Sequence, residues 1–155
     1  MTSYSIVFAQ QPTHGYAIHS NDSAARTKRL TPPLIVQCFQ YDEYTQTYSD
    51  IPESTSAVLV AYVHLYTGDG VHRYEQVPIE GIYQNLLAGN LVANAVKHRD
   101  GYNRIGVYFS FPDLSVRLSG TYRLAVYVHH MGLASGQGWA AAVASGLTGP
   151  FEVYE

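Results

Sequence analysis

Apolar residues recur at every second position in several stretches of this chain, a period that is typical of β-strands. Residues 57–66 carry the clearest example, because every second side chain from Leu59 to Leu65 is apolar. Residues 122–130 repeat the pattern. This alternating pattern, together with the β-branched and aromatic content of the same stretches, predicts strands over residues 4–10, 34–40, 57–66, 71–77, 91–97, 105–111, 115–118, 122–130 and 151–154.

The segments between these strands predict loops and short helices. Residues 12–31 have no period and end in basic residues, so we predict a long structureless loop there, and loops of that length are often functional. Residues 41–52 are predicted to be a connection. Residues 80–88 predict a short helix ended by Gly89. The Ala-rich middle of residues 132–149 predicts a helical turn or two.

Many short strands separated by Gly- and Pro-containing turns predict an antiparallel β-sandwich or barrel. The chain has 155 residues, of which 46% are hydrophobic. This length and composition fit a single domain over residues 1–155 with one buried core, and they exclude bulk disorder.

Charge and cysteine content narrow the functional classes. Formal net charge is −3, so contact with a polyanion would have to come from a local basic patch. Cys38 is the only cysteine, which excludes an internal disulfide and a cysteine-based zinc site. We expect no signal peptide, because residues 1–6 have neither a positive charge nor the start of a long apolar run. We expect no membrane contact, because no apolar stretch approaches 18 residues.

No arrangement of residues indicates catalysis. The sequence contains no G-x-S-x-G nucleophile motif, no phosphate-binding glycine loop and no pair of carboxylates that stands out. None of its seven histidines has the spacing of a known metal motif. We therefore expect no enzymatic activity, no catalytic residue, no metal, no cofactor and no small-molecule substrate.

The basic residues are more informative. Only nine Lys and Arg are present, and three of them, Arg26, Lys28 and Arg29, fall within four residues at the end of the long loop. Held on a rigid scaffold, such a loop suits phosphate contact. A solvated loop that only keeps the protein soluble is the alternative. Lys97, Arg99 and Arg104 form a second, looser group, in which Asp100 cancels part of the charge.

Four sequence segments, taken together, are similar to segments of a known protein family. They are FAQQP at residues 8–12, RTKRLTPPLIVQ at 26–37, YFSFPDLSVR at 108–117 and GTYRL at 120–124. The closing GPFEVY at 149–154 adds to them. In this order, the segments resemble the velvet family of fungal regulators.

The resemblance implies a mostly-β fold, an immunoglobulin-like antiparallel β-sandwich related to the Rel-homology domain, with short helical insertions. It implies a transcription regulator of fungal development, sporulation and secondary metabolism. Such a protein would act in the nucleus, with shuttling to the cytoplasm left open. It would pair with itself or with another velvet protein as a homodimer or heterodimer. The partner implied for Arg26, Lys28 and Arg29 is double-stranded DNA.

Two other functions stay open at this point. The low cation count and the negative net charge also fit a velvet-type protein-interaction subunit that does not itself bind DNA. A chain with 14 tyrosines and a glycosylation sequon at Asn21 also fits an extracellular carbohydrate-binding sandwich, although the expected lack of a signal peptide opposes this.

Overall fold

The computed structural model describes residues 2–18, 25–131 and 142–155, and the side chains of residues 25 and 26 lie outside that description. Fifteen strands, one four-residue α-helix and one turn of 3-10 helix make up the described elements. Their bounds are β1 Thr2–Gln10, β2 His14–Tyr16, the 3-10 helix Ala25–Lys28, β3 Leu34–Asp42, β4 Thr47–Ser49, α1 Glu53–Ser56, β5 Leu59–Thr67, β6 Gln76–Ile79, β7 Ile82–Asn85, β8 Leu87–Ala88, β9 Val92–Asn94, β10 Val96–Arg99, β11 Ile105–Phe111, β12 Ser115–Val116, β13 Gly120–His130, β14 Ala142–Leu147 and β15 Phe151–Tyr154.

Two antiparallel layers form the body of the molecule. The first sheet, called sheet A, has the order β1-β3-β11-β10, with β4 paired to the far end of β3. The second, sheet B, has the order β2-β15-β13-β5-β9, and β14 lies along β13 beyond β15. The β2–β15 pair is parallel, while all other strand pairs described are antiparallel. Short pairs β6–β7 and β8–β12 complete the described strands.

The core lies between the two sheets, and alternate side chains of the central strands β3, β5, β11 and β13 supply much of it. On β5 and β13 the inward residues are almost fully excluded from solvent, as the alternating pattern predicts. Gly146 of β14 lies directly against Ile6 and Phe8 of β1, which fixes the contact between the layers. Burial of this apolar surface is the main favourable term in the stability of such a sandwich.

The prediction of a mostly-β antiparallel sandwich with short helical insertions is therefore confirmed. Neither of the two short helices in the described part of the chain could cross a membrane.

Several local predictions are wrong. Residues 80–88 form β7 and β8, because Glu80 and Gly81, both at positive φ, make a tight hairpin turn that the helical interpretation overlooked. Residues 71–77 do not form a full partner strand to β5: the described backbone pairing between them is the isolated Tyr66–Arg73 bridge, and Gln76 and Val77 begin β6. The described part of residues 132–149 is strand β14 rather than a helical turn.

The candidate nucleic-acid interface

The loop that carries the basic run is held at one edge of sheet B. Strand β2 pairs in parallel with β15, and Thr31 returns to β2 so that His14 and Thr31 exchange backbone hydrogen bonds of 3.2 and 2.8 Å. The Thr31–Pro32 peptide bond is cis. The prediction of a structureless loop over residues 12–31 is thus wrong for its described parts, which contain a strand and a 3-10 turn.

Leu30 anchors the end of the basic run in the core. Its side chain is 3% exposed, and its backbone N–H donates to the Leu114 carbonyl over 2.8 Å. Gly15 lies so close that a Cβ there would come within 2.7 Å of the Leu30 side chain. The residues just before Leu30 are therefore fixed in position by buried packing and by backbone pairing, although they lie at the surface.

The two glutamines of the FAQQP segment brace the same region. The Gln10 side-chain amide donates to the Pro33 carbonyl over 2.7 Å. The Gln11 side-chain oxygen accepts from the Gly149 N–H over 2.8 Å. One glutamine thus ties β1 to the exit of the basic loop, and the other ties it to the segment that leads into β15.

The FPDLSVR segment supplies the opposite wall. Its residues 114–116 are buried, and two of its carbonyls accept N–H groups from the loop, those of Leu30 and Ile18. The Asp113 carboxylate accepts the Asn90 N–H over 3.0 Å, and the Arg117 guanidinium donates to the Asn85 carbonyl over 3.2 Å. The motif that suggested the family therefore acts here as a structural support for the basic run.

The three residues of the predicted DNA contact lie at this anchored site. Arg26 and Lys28 belong to the 3-10 helix, and Arg29 follows it directly. The Arg26 side chain lies outside the described part. Lys28 and Arg29 are half-buried, and Thr27 between the cations is exposed.

Two acidic side chains on the neighbouring elements have other partners. Asp113, next to the Leu30 anchor, caps Asn90. Glu152, whose Cα faces His14 across the β2–β15 pair, accepts the Thr121 hydroxyl. Among the described residues no carboxylate forms an ion pair with Arg29. The described carboxylates therefore do not neutralise this guanidinium.

The second basic group has a different environment. Lys97 pairs with Glu53 at 3.6 Å, and Arg104 pairs with Asp100 at 3.2 Å. Arg99 donates to the Asn103 carbonyl over 3.1 Å. Hydrogen bonds from the Tyr102 and Arg104 N–H groups, together with the Arg104 guanidinium, lower the pKa of the Asp100 carboxyl, so it stays ionised and neutralises the turn.

The two basic groups lie at opposite ends of β11. The 99–104 turn leads into this strand, and Leu114, which holds the basic loop, follows it. Seven residues at about 3.3 Å each separate them by about 23 Å along the strand. A single short contact with a nucleic acid at the loop would not include the second group.

The remaining cations serve the fold. Arg73 pairs with Glu75 at 2.8 Å, Arg117 donates to Asn85 as described above, and Arg123 donates to the Gly68 carbonyl over 2.9 Å. Lys97, Arg99 and Arg104 also have the internal acceptors given above. The basic run, in which no described carboxylate pairs with Arg29, therefore remains the candidate interface.

Other reactive side chains do not form a catalytic or metal site within the described residues. Burial raises the pKa of the Cys38 thiol to about 12, so it stays protonated and unreactive. No group of three or more metal-binding side chains comes together within the ranges that the structure describes. His19 lies outside those ranges.

Sequence reasoning found the cations but missed what holds them. Leu30, Gly15 and Leu114 fix the run, and only Leu30 left a trace in the sequence, as an isolated aliphatic residue directly after the basic residues. Gly15 gives no signal by itself, because its contact with Leu30 depends on a parallel strand pair formed with the far end of the chain.

Comparisons with known proteins place the chain in a family. The family model described as velvet factor matches residues 71–155. The spore development regulator vosA of Cochliobolus sativus is 30% identical over 105 residues, which cover 67% of this chain and 28% of that protein. A velvet complex subunit of Chaetomium globosum is 40% identical over 74 residues, 48% of this chain and 16% of its own length. A velvet complex subunit of Aspergillus flavus is 34% identical over 85 residues, 48% of this chain and 24% of its own length.

This chain spans less than a third of the length of these relatives. The span matched by the family model contains the FPDLSVR segment and the closing strand β15, and the basic run at 26–29 lies outside it. That model nevertheless covers more than half of the chain, and it confirms the resemblance drawn from the motifs: the chain belongs to the velvet factor family.

Proposed function

We propose that this chain is a non-catalytic regulatory domain that contacts double-stranded DNA through Arg26, Lys28 and Arg29. The observation that carries this proposal is the anchoring of the basic run at Leu30, combined with an Arg29 guanidinium that has no described carboxylate partner. A fixed cationic segment suits phosphate binding, because its backbone entropy is already lost before the complex forms.

The contact would be mainly electrostatic. Cations that approach phosphates release condensed counterions, which supplies affinity without sequence preference. The arginines can in addition donate two hydrogen bonds to a guanine edge in the major groove. Sequence preference would then come from the arginines and from the second domain of a pair.

The biological setting comes from the relatives. Their names describe a spore development regulator and velvet complex subunits, which supports a role in developmental regulation and an interaction with other velvet proteins. We propose in addition that the chain acts in the nucleus, as a homodimer or as a heterodimer with another velvet protein. Sporulation and secondary metabolism are the processes that we expect it to regulate.

The salt dependence of DNA binding tests the proposal. Replacing Arg26, Lys28 and Arg29 with Ala should weaken binding to every duplex and reduce the log–log salt slope by up to about 2.7, from three phosphate contacts at about 0.9 each. The matched control replaces Lys97, Arg99 and Arg104 with Ala. It removes the same charge from the other end of β11 and should leave the slope unchanged. An unchanged slope in the first variant would remove the basic run from the interface.

A protein-interaction subunit without its own DNA contact is the second candidate. The net charge of −3 and the relatives named as complex subunits favour it. Gel shifts of the purified chain alone and mixed with a second velvet-family domain separate the two candidates. A shift that needs the mixture, and that persists when residues 26, 28 and 29 are Ala, identifies the subunit function.

A further inference from the structure

Strand β10 forms an open edge of sheet A. The order β1-β3-β11-β10 places it last, and its described pairing is with β11. All four of its residues are exposed, and it is the longest described strand for which this holds. An edge strand presents a row of unpaired backbone groups to which a further strand can add. The fold therefore leaves this edge accessible to an added strand.

The backbone groups that point outward at this edge belong to Lys97 and Arg99. At the turn between β10 and β11, the Asp100 N–H donates to the Arg104 carbonyl over 2.8 Å. Bonded and non-bonded residues alternate along an antiparallel ladder, so the next residue of β10 that is bonded to β11 is His98. The N–H and C=O groups of Lys97 and Arg99 accordingly point away from β11.

Three of these four groups are open. No described residue hydrogen-bonds to the Lys97 N–H, the Lys97 carbonyl or the Arg99 N–H. The fourth group, the Arg99 carbonyl, accepts the Nδ1 hydrogen of His98 over 2.8 Å. An added antiparallel strand bonds to every second residue of its neighbour, so its hydrogen bonds would fall on Lys97 and Arg99.

The side chains of the same two residues are basic. Strand β10 reads Val-Lys-His-Arg and contains no carboxylate. Lys97 and Arg99 are two positions apart, so their side chains lie on the same side of the sheet. Lys97 meets Glu53 at 3.6 Å, and the Glu53 side chain is 88% exposed. Because exposed ion pairs contribute little net free energy, an incoming carboxylate could replace Glu53 at low cost.

These charges determine which strand fits the edge. A second copy of β10 added about a two-fold axis would place lysine and arginine opposite each other, and like charges at opposite positions are destabilising. Carboxylates at those positions would instead be favourable. Val96 and His98 lie on the other side of the sheet, where β-branched and aromatic residues of a neighbouring strand would pack. The edge therefore suits a strand of alternating acidic and apolar residues.

We propose that β10 binds an extended acidic segment of a partner protein, which adds to sheet A as an antiparallel strand. The residues of that segment opposite Lys97 and Arg99 are Asp or Glu, and the residues between them are apolar. Main-chain hydrogen bonds supply affinity, and the alternating side chains supply specificity. This inference goes beyond the proposed function and does not depend on the DNA contact, since the basic run lies at the other end of β11.

Synthetic peptides test the proposal without altering the protein. A labelled peptide of seven residues, alternating valine and glutamate with valine at both ends, should bind the full chain with a Kd on the order of 100 µM, measured by fluorescence anisotropy. In the proposed register the glutamate N–H groups face β10 and the valine N–H groups face solvent. N-methylation of the glutamates should therefore weaken binding about tenfold or more, whereas N-methylation of the valines should leave it nearly unchanged.

Variants of the chain locate the contact. Lys97→Ala with Arg99→Ala removes two charges from β10 and should weaken binding of the peptide about tenfold. Both positions are exposed on an edge strand, so this variant should fold. The matched control, Lys28→Ala with Arg29→Ala, removes the same charge from the basic run and should bind the peptide like wild type. In amide NMR spectra of the wild type, the peptide should shift the Lys97 and Arg99 signals most.

Three results would overturn the proposal. The first is no binding of the alternating peptide at about 1 mM, tenfold above the expected Kd. The second is an equal effect of the two N-methylated peptides, which would mean that charge alone attracts the peptide, as it would attract a nucleic acid. The third is an equal effect of the two protein variants, which would place the contact away from β10.

Discussion

Two segments of this protein each carry three cations close together in sequence, and their surroundings differ. At residues 97–104, the cations are tied to Glu53, Asn103 and Asp100. At residues 26–29, the chain is anchored through Leu30, and no described carboxylate pairs with Arg29. The comparison teaches that a count of cations does not identify an interface. What matters is whether the fold fixes the backbone beneath the cations and which acidic groups it places beside them.

Removing the anchor should have the largest effect. Leu30→Ala deletes a buried side chain and should lower the free energy of unfolding by about 2–5 kcal/mol, measured by urea denaturation. Because the basic run loses its fixed position, DNA affinity should also fall, although all three cations remain. Leu147→Ala, at a position that is 39% exposed, is the control and should change stability far less. Wild-type DNA affinity in a folded Leu30→Ala protein would contradict the importance of anchoring.

The second basic group has an acidic neighbour, Asp100. Adding an acidic residue to the basic run should make the two segments alike. Thr27 is exposed between Arg26 and Lys28, so Thr27→Glu places a carboxylate among the cations. We expect the salt slope of DNA binding to fall by about 0.9, equivalent to one lost phosphate contact. Ser119→Glu adds the same charge at an exposed turn and should leave the slope unchanged. Equal effects of the two variants would mean that only net charge matters.

Lowering the pH should have a smaller effect on the free energy of unfolding, through protonation of His64. Burial, the nearby Arg73 charge and His129 lower the pKa of His64, so the folded protein favours its neutral form. As the pH falls below about 6.5, the unfolded chain takes up this proton first, and the free energy of unfolding falls until the pH passes the lowered pKa of the folded state. Urea denaturation at pH 7 and pH 5 should show a smaller loss in His64→Gln than in wild type. His72→Gln, at an exposed position, should behave like wild type.

The sheets were predictable from the sequence because burial imposes a period of two. The inward residues of β5 and β13 follow the pattern residue by residue. The segment over residues 80–88 was not predictable in the same way. Its hairpin depends on a turn at Glu80 and Gly81 and on packing against residues far away in sequence, which override its local helical preference.

The same distinction holds for the candidate site, where the cations were predictable from the sequence and the contacts that hold them were not. Arg26, Lys28 and Arg29 stand out from composition alone, since a run of cations needs no tertiary information to be noticed. Their support does need it, because Leu30 meets Leu114 and β2 meets β15 only in the folded chain. The neutralisation of the second group was partly visible through Asp100, but the contribution of Glu53 to Lys97 required the fold.

The parallel pairing of β2 with β15 joins a segment near the beginning of the chain to one near its end. A strand cannot pair with a partner that the ribosome has not yet made, so β2 must wait during synthesis until residues 152–154 emerge. The cationic segment behind it would then reach its final position only after β15 has been made, and a shorter nascent chain would not yet present an ordered surface to nucleic acid. The time at which the segment becomes ordered is thus set by topology, through the strand pair that has the largest sequence separation among those described.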